Sequence, residues 1–160
     1  MKDKSIKCIG LLCTLVLLLG ANSAPKNYRE ALLSLRGESY DAAKSHVGIS
    51  CSGLICRAHN LQTADNAHCT AAQLWNGCGG KLLLKEQAKS FEALGIEHLQ
   101  PGDVLVFNQV HAAAYLGNGI FIDSDPLHNG VATGTLQHVA GDPWFSGPVR
   151  VLAWKNNQPL

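Results

Sequence analysis

The sequence predicts an α+β fold, with N-terminal helices packed on a small antiparallel sheet. Three observations carry that expectation. Helix-periodic apolar residues occupy the chain before residue 95. Strand-like runs bounded by glycine turns follow from residue 104 onward. The two kinds of segment do not alternate, as they would in a parallel βαβ fold. The 160 residues suit one domain, and 46% hydrophobic against 16% charged is enough apolar material for a core and too little charge for disorder.

Residues 1–24 are expected to be a secretory signal. Lys2, Lys4 and Lys7 precede an apolar run over 8–21, and Asn22-Ser23-Ala24 supplies the small residues of a cleavage site after Ser23 or Ala24. The run is shorter than the ~20 residues a spanning helix needs, so a membrane enters only if this segment stays uncleaved. Residues 25–160 then form a single exported domain, periplasmic or extracellular, whose oligomeric state is left open. Without the signal, 10 basic residues face 11 acidic ones, a net charge of −1. That balance gives no electrostatic footprint for nucleic acid and no long-range attraction to an anionic polymer.

Tyr28, Ala31, Leu32 and Leu35 fall at i, i+3, i+4 and i+7 with Gly37 as a stop, which predicts a short helix. Cys51, Leu54, Ile55 and Ala58 repeat that spacing and predict a second helix over 51–59. A third is expected from Thr63 or Asp65 to Gly77, and a fourth over 85–94, ended by Gly95. Pro101-Gly102 marks the change of character. Residues 104–107 read as a buried strand, 111–116 and 120–123 as a hairpin across Gly117-Asn118-Gly119, and 149–154 as a closing strand.

Four cysteines lie beyond the signal: Cys51, Cys56, Cys69 and Cys78. They contain no C-x-x-C pair and match no zinc spacing, so no metal or cofactor is expected. Export permits disulfides. Cys51 to Cys56 is a poor pair, because five helical residues advance ~7.5 Å and a bridge tolerates ~7 Å between Cα atoms. Cys69 to Cys78 is the easier bridge, leaving Cys56 a buried thiol.

Cys51 opens the second helix. A helix N-terminus carries partial positive charge and unpaired N–H groups, which favour a thiolate and can hold an oxyanion. Ser52 and Gly53 flank the thiol as substrate-binding candidates, and Gly53 would let a substrate backbone approach closely. Taken alone, Cys51 also reads as a small core residue. A thiol nucleophile needs a base, and the base an orienting group. His111 starts a strand of alanines that leaves room for an imidazole. Asp123 lies across the turn; taken alone it is a strand-end turn former with Ser124, Asp125 and Pro126. A three-residue loop over 117–119, with a bulge at Gly119, sets Asp123 opposite Ala113 and on the face of His111. A two-residue loop would put the two on opposite faces. His46, His59, His68, His98, His128 and His138 have no such cross-strand acid.

Together, 50–55, 99–107, 111–123 and the closing stretch Trp144-Phe145 to Val149-Arg150-Val151 resemble the NlpC-type cell-wall peptidases, a papain-like cysteine hydrolase family. The resemblance covers about residues 28–154. It implies hydrolysis of peptidoglycan stem peptides, often between D-glutamate and a diamino acid, with Cys51 as nucleophile, His111 as base and Asp123 in the third, polar position. Tyr40 matches the substrate-side tyrosine. Ser50 stands where the family usually has aspartate, Ala113 where it has glycine, and Asp123 where it commonly has histidine. An acid there can still hold the imidazole. The expected function is therefore a secreted cysteine peptidase or amidase acting on peptidoglycan. The alternatives are a thiol hydrolase or acyltransferase acting on another amide or a lipid ester, and a non-catalytic binding module with a decayed site.

Overall fold

The computed structural model describes residues 25–41, 49–135, 143–145 and 147–155. The expected signal over 1–24, and His46 and His138, lie outside these. Among the described residues no helix is long and apolar enough to cross a membrane.

Among the described residues, three α-helices precede or flank a six-stranded antiparallel sheet. They are α1 (Tyr28–Ser34), α2 (Cys51–Gln62) and α3 (Ala71–Trp75); the strands are β1 (Leu82–Ala88), β2 (Val104–Phe107), β3 (His111–Gly117), β4 (Ile120–Asp125), β5 (Gly130–Thr135) and β6 (Val149–Trp154). The sheet order is β1-β6-β2-β3-β4-β5. The expected α+β class holds, and β2 and β6 have the bounds the sequence predicts.

Each helix starts on a side-chain cap. Asn27 accepts from the Glu30 amide, Ser50 from the Gly53 amide, and Thr70 from the Gln73 amide, whose side chain returns the bond to Thr70. Thr70 is thus the start of the third helix, later and shorter than predicted from Thr63 or Asp65. The Cys69–Cys78 disulfide brackets that helix at a Cα separation of 6.0 Å. Cys56 is a buried thiol outside the bridge.

The fourth predicted helix is absent. Residues 82–88 form β1 instead, paired only with β6. Lys85, Glu86, Gln87 and Ala88 favour helix locally, but pairing to a buried strand outweighs a propensity of a few tenths of a kcal/mol per residue. Lys85 also reaches both oxygens of buried Asp103, at 2.6 and 2.8 Å, which ties β1 to the turn before β2.

The sheet has a core on each face. Leu32 of α1, Leu54, Ile55 and Ala58 of α2, and Leu74 of α3 pack with Val104, Val106, Ala112, Ala114, Ile122 and Leu152. Leu105, Phe107, Ala113, Tyr115, Phe121, Val149 and Val151 form the other cluster with Phe91, Leu94 and Phe145. Burying one such Leu side chain contributes about 1.5–3 kcal/mol. The alanines of β3 are small because both of its faces are covered.

Candidate active site

Cys51 is the first residue of α2, partly exposed and outside any disulfide. Two bonds place it. The Ser50 side chain accepts from the Gly53 amide at 3.2 Å, fixing the helix start. Ile49, just upstream, donates its amide to Ser39 O at 2.8 Å, and its carbonyl accepts from the Ser124 hydroxyl. Ser124 sits between Asp123 and Asp125, so β4 holds the residue next to the cap. The Gly53 N–H is spent on the cap. The amides of Cys51 and Ser52 remain as the first-turn donors that could face an oxyanion.

His111 and Asp123 do share a face, but not by the loop the sequence suggested. Gly117 pairs with Ile120, so the turn is the two residues Asn118 and Gly119, at φ +54° and +71°. Those angles suit a tight hairpin with left-handed central residues. The ladder then shifts between Tyr115 and Gly117, and beyond that bulge Ala113 lies opposite Asp123. The extra residue is Leu116, not Gly119. The two-residue turn alone would have separated the pair; the bulge restores it.

The result is a hydrogen bond of 2.8 Å between His111 Nε2 and Asp123 Oδ2, with both residues buried. Cys51 lies near enough to the His111 ring to shift its titration. With Nε2 engaged by Asp123, Nδ1 is the nitrogen left for the thiol. Phe145 packs edge-on against the imidazole at 5.3 Å. Burial disfavours the charged ring, but the hydrogen bonds to Asp123 and Cys51 and their negative charge outweigh it, and the His111 pKa is pushed up to about 9.

Tyr40 pairs with Ile49 in an isolated parallel bridge. Burial, and then the charges of Cys51, Asp125 and Asp41, raise its pKa. Ser52 is buried, and Gly53 is half-buried beside the cap, where an added Cβ would stand 3.0 Å from Ser50 Oγ. Every site residue predicted from the sequence therefore converges on the head of α2 and the open end of the β3–β4 hairpin.

Sequence reasoning missed Ser124 and Asp125. Both read as turn formers before Pro126, yet both remain in β4 and are fully buried. Asp125 Oδ1 accepts the Leu127 amide at 2.6 Å, and Oδ2 has no hydrogen-bond partner among the described residues. The signal available was period-2 alternation continuing past Asp123. His111, Asp123 and Asp125 bring ligand-type atoms within 4.8 Å of one another. A metal there would have to displace the His111–Asp123 bond. Cys56, Cys69 and Cys78 also cluster, but the disulfide consumes two of those three thiols.

The other described histidines sit elsewhere. His59 stacks on Trp154 at 3.8 Å, His68 meets Asn66, and His98 lies near Glu97. His128 is the last residue of the short 3₁₀ turn after β4.

A thiol at a helix head, near an imidazole that a carboxylate holds, is an arrangement that thiol chemistry can use. The NlpC/P60 family matches residues 37–150, and the chain belongs to it. Among solved structures, NlpC1 from Trichomonas vaginalis superposes with a TM-score of 0.58 at 24% identity, over 86% of this chain and 45% of that one. The NlpC/p60 domain of the peptidoglycan hydrolase SagA gives 0.53 at 20%, over 78% and 94%. The peptidoglycan hydrolase RipB from Mycobacterium tuberculosis gives 0.51 at 16%, over 78% and 65%. The chain thus spans under half the length of the Trichomonas protein. At these identities the likeness is one of fold. No curated protein sequence matches the chain.

Proposed function

We propose that the chain is an exported cysteine peptidase or amidase that cleaves peptidoglycan stem peptides. The observation that carries this reading is the buried His111–Asp123 hydrogen bond beside the Cys51 thiol at the head of α2, in a member of the NlpC/P60 family. Two relatives of the same fold are described as peptidoglycan hydrolases, which supports the substrate class. The Cys69–Cys78 disulfide fits an oxidising compartment and so supports export, with residues 1–24 as the signal and 25–160 as the mature domain.

In this mechanism the Cys51 thiolate attacks the scissile carbonyl carbon. The raised His111 pKa keeps the ring an imidazolium at neutral pH, which stabilises the thiolate beside it. The oxyanion forms near the Cys51 and Ser52 amides. The C–N bond breaks as His111 passes its proton to the leaving amine. His111, now neutral, takes a proton from water, whose oxygen attacks the thioester and releases Cys51. Asp123 holds the ring with Nδ1 toward sulfur and offsets its charge. Tyr40, Ser52 and Gly53 lie on the substrate side.

Ser50 fills a position where aspartate is usual in the resemblance, yet it supplies the cap bond that an aspartate would supply. That weakens the reading of a decayed site. The test is product release from purified peptidoglycan and from stem peptides. Wild type should release peptide fragments, and Cys51→Ala should lower the rate by at least about a thousandfold. Equal release from the two proteins would sink the proposal.

A further inference from the structure

Next to the head of α2, lined by Ser50, Ser52 and Gly53, the chain neighbours of Cys51, lies a cleft of about 460 Å³. That size suits a small ligand or a few residues of peptide. One wall is a stripe of α2. Ser50, Gly53, Arg57 and Asn60 follow each other at steps of 3, 4 and 3 along the sequence, which stacks them on one helix face. The loop Ala67-His68-Cys69 also lines the cleft, held by the Cys69–Cys78 disulfide.

The polar groups of the cleft are mostly spent. The Asn60 amide bonds the Ala67 backbone in both directions, at 2.8 and 3.0 Å. His68 Nε2 meets Asn66 at 2.9 Å. Ser50 Oγ holds the Gly53 amide. Asp41, at the Ser50 end, takes part in other interactions. Arg57 differs. Its side chain is exposed and lines the cleft, and among the described residues it has neither an ion pair nor a hydrogen-bond acceptor.

We propose that this cleft is a substrate subsite in which Arg57 binds a free carboxylate of the stem peptide. The proposal rests on the hydrolase reading above and gives it a specificity element. A guanidinium presents a planar fork that matches a carboxylate in bidentate geometry. Arg57 stands six residues beyond Cys51, about 9 Å along the helix axis. That is the span of about two to three extended peptide residues. The carboxylate read by Arg57 therefore belongs to a residue that near the scissile carbonyl. A substrate whose carboxylate is amidated would leave the guanidinium in the cleft without its charged partner.

The experiment uses three synthetic peptides: L-alanyl-γ-D-glutamyl-L-lysine, the same peptide amidated at the D-glutamyl α-carboxylate, and the same peptide amidated at the C-terminus. KM and kcat are measured for wild type and Arg57→Gln, with thermal unfolding midpoints as the folding control. One of the two amidations should raise the wild-type KM by about 10- to 100-fold, the range expected of a charged hydrogen bond. In Arg57→Gln that amidation penalty should vanish, because the two changes remove the same interaction. An amidation penalty of equal size in both proteins, or none in wild type, would overturn the proposal. If wild type cleaves none of the peptides, the hydrolase reading fails, and calorimetric binding of the three peptides to Cys51→Ala and to Cys51→Ala/Arg57→Gln decides this site by itself. Carboxylate-dependent binding that Arg57→Gln abolishes supports it; binding indifferent to Arg57, or no binding, overturns it.

Discussion

Cys51 and His111 meet from regions built on opposite plans. Cys51 stands partly exposed at the head of α2, placed by one cap bond from Ser50 and by the backbone of Ile49. His111 and Asp123 are 3% and 2% exposed, and a ladder, a bulge and a tight turn over 113–123 set their geometry. The thiol side is local and open to solvent. The base side is buried and depends on register. Chemistry can be removed from the first at little cost to folding, whereas removing either partner of the second strands a polar group in the interior.

The sharpest way to break that contrast is to compare Asp123→Ala with Cys51→Ala. Breaking a buried ion pair typically costs about 3–5 kcal/mol, and loss of the group that orients a catalytic histidine costs roughly 10⁴-fold in turnover. Asp123→Ala should therefore lose both stability and activity. Cys51→Ala should lose activity while staying within about 1 kcal/mol of wild type. Urea unfolding and peptide release measure the two. An Asp123→Ala protein as stable as Cys51→Ala would mean the buried pair does not organise its half of the site.

Acid–base behaviour separates the halves next. The folded His111 pKa, about 9, exceeds the ordinary 6.5. The imidazolium is favoured by the folded state, so its contribution is complete below pH 6.5 and fades as pH rises through about 9. Stability should fall across that window. Asp123→Asn should flatten the fall and move the His111 NMR titration midpoint downward, because burial, the largest opposing effect, then faces weaker compensation. A midpoint unmoved by Asp123→Asn would show that Cys51 alone holds the charge.

A smaller effect is expected on the thiol side. Ser50→Ala removes the α2 cap and should cost about 1 kcal/mol. Ser50→Asp, which can accept the same Gly53 amide, should recover most of it. Chemical denaturation of the pair checks this, and a fully neutral Ser50→Ala would place the helix start under tertiary rather than local control.

What could be read from the sequence follows the same division between local and non-local causes. The head of α2 was legible because its signals are adjacent: Cys51, then Leu54, Ile55 and Ala58 on one face. The strands 104–107 and 149–154 were legible as apolar runs, whereas Cys69 with Cys78 was only the easier of the pairings left open among Cys56, Cys69 and Cys78. Strand β1 was not, because Leu83 and Leu84 are exposed and Lys85-Glu86-Gln87 carries no alternation. Only its pairing with β6 makes it a strand. Strand β5 was equally silent: Gly130-Val131-Ala132-Thr133-Gly134-Thr135 has too little apolar mass to show a period, and β4 supplies its order. Within the site, the face shared by His111 and Asp123 was foreseen, yet the turn length behind it was not. A bulge leaves no composition signal, since Leu116 is an ordinary buried strand residue.

That bulge gives the mildest and most discriminating perturbation. Gly119 holds φ +71° with nothing within 4 Å of an added Cβ, so Gly119→Ala pays only backbone strain, about 1 kcal/mol. If the turn alone fixes the register, weakening it should loosen the His111–Asp123 bond and lower the His111 titration midpoint along with stability. The ladder says otherwise. Past Leu116 the pairing of Ala113 with Asp123 is flanked by Ala114 with Ile122 and Tyr115 with Phe121, all buried. A one-residue slip would turn Ile122 and Phe121 out of their respective cores. Gly119→Ala should therefore lower stability in urea while the His111 midpoint stays at its wild-type value, which assigns the register of the base side to core packing around the bulge and only its closure to the turn.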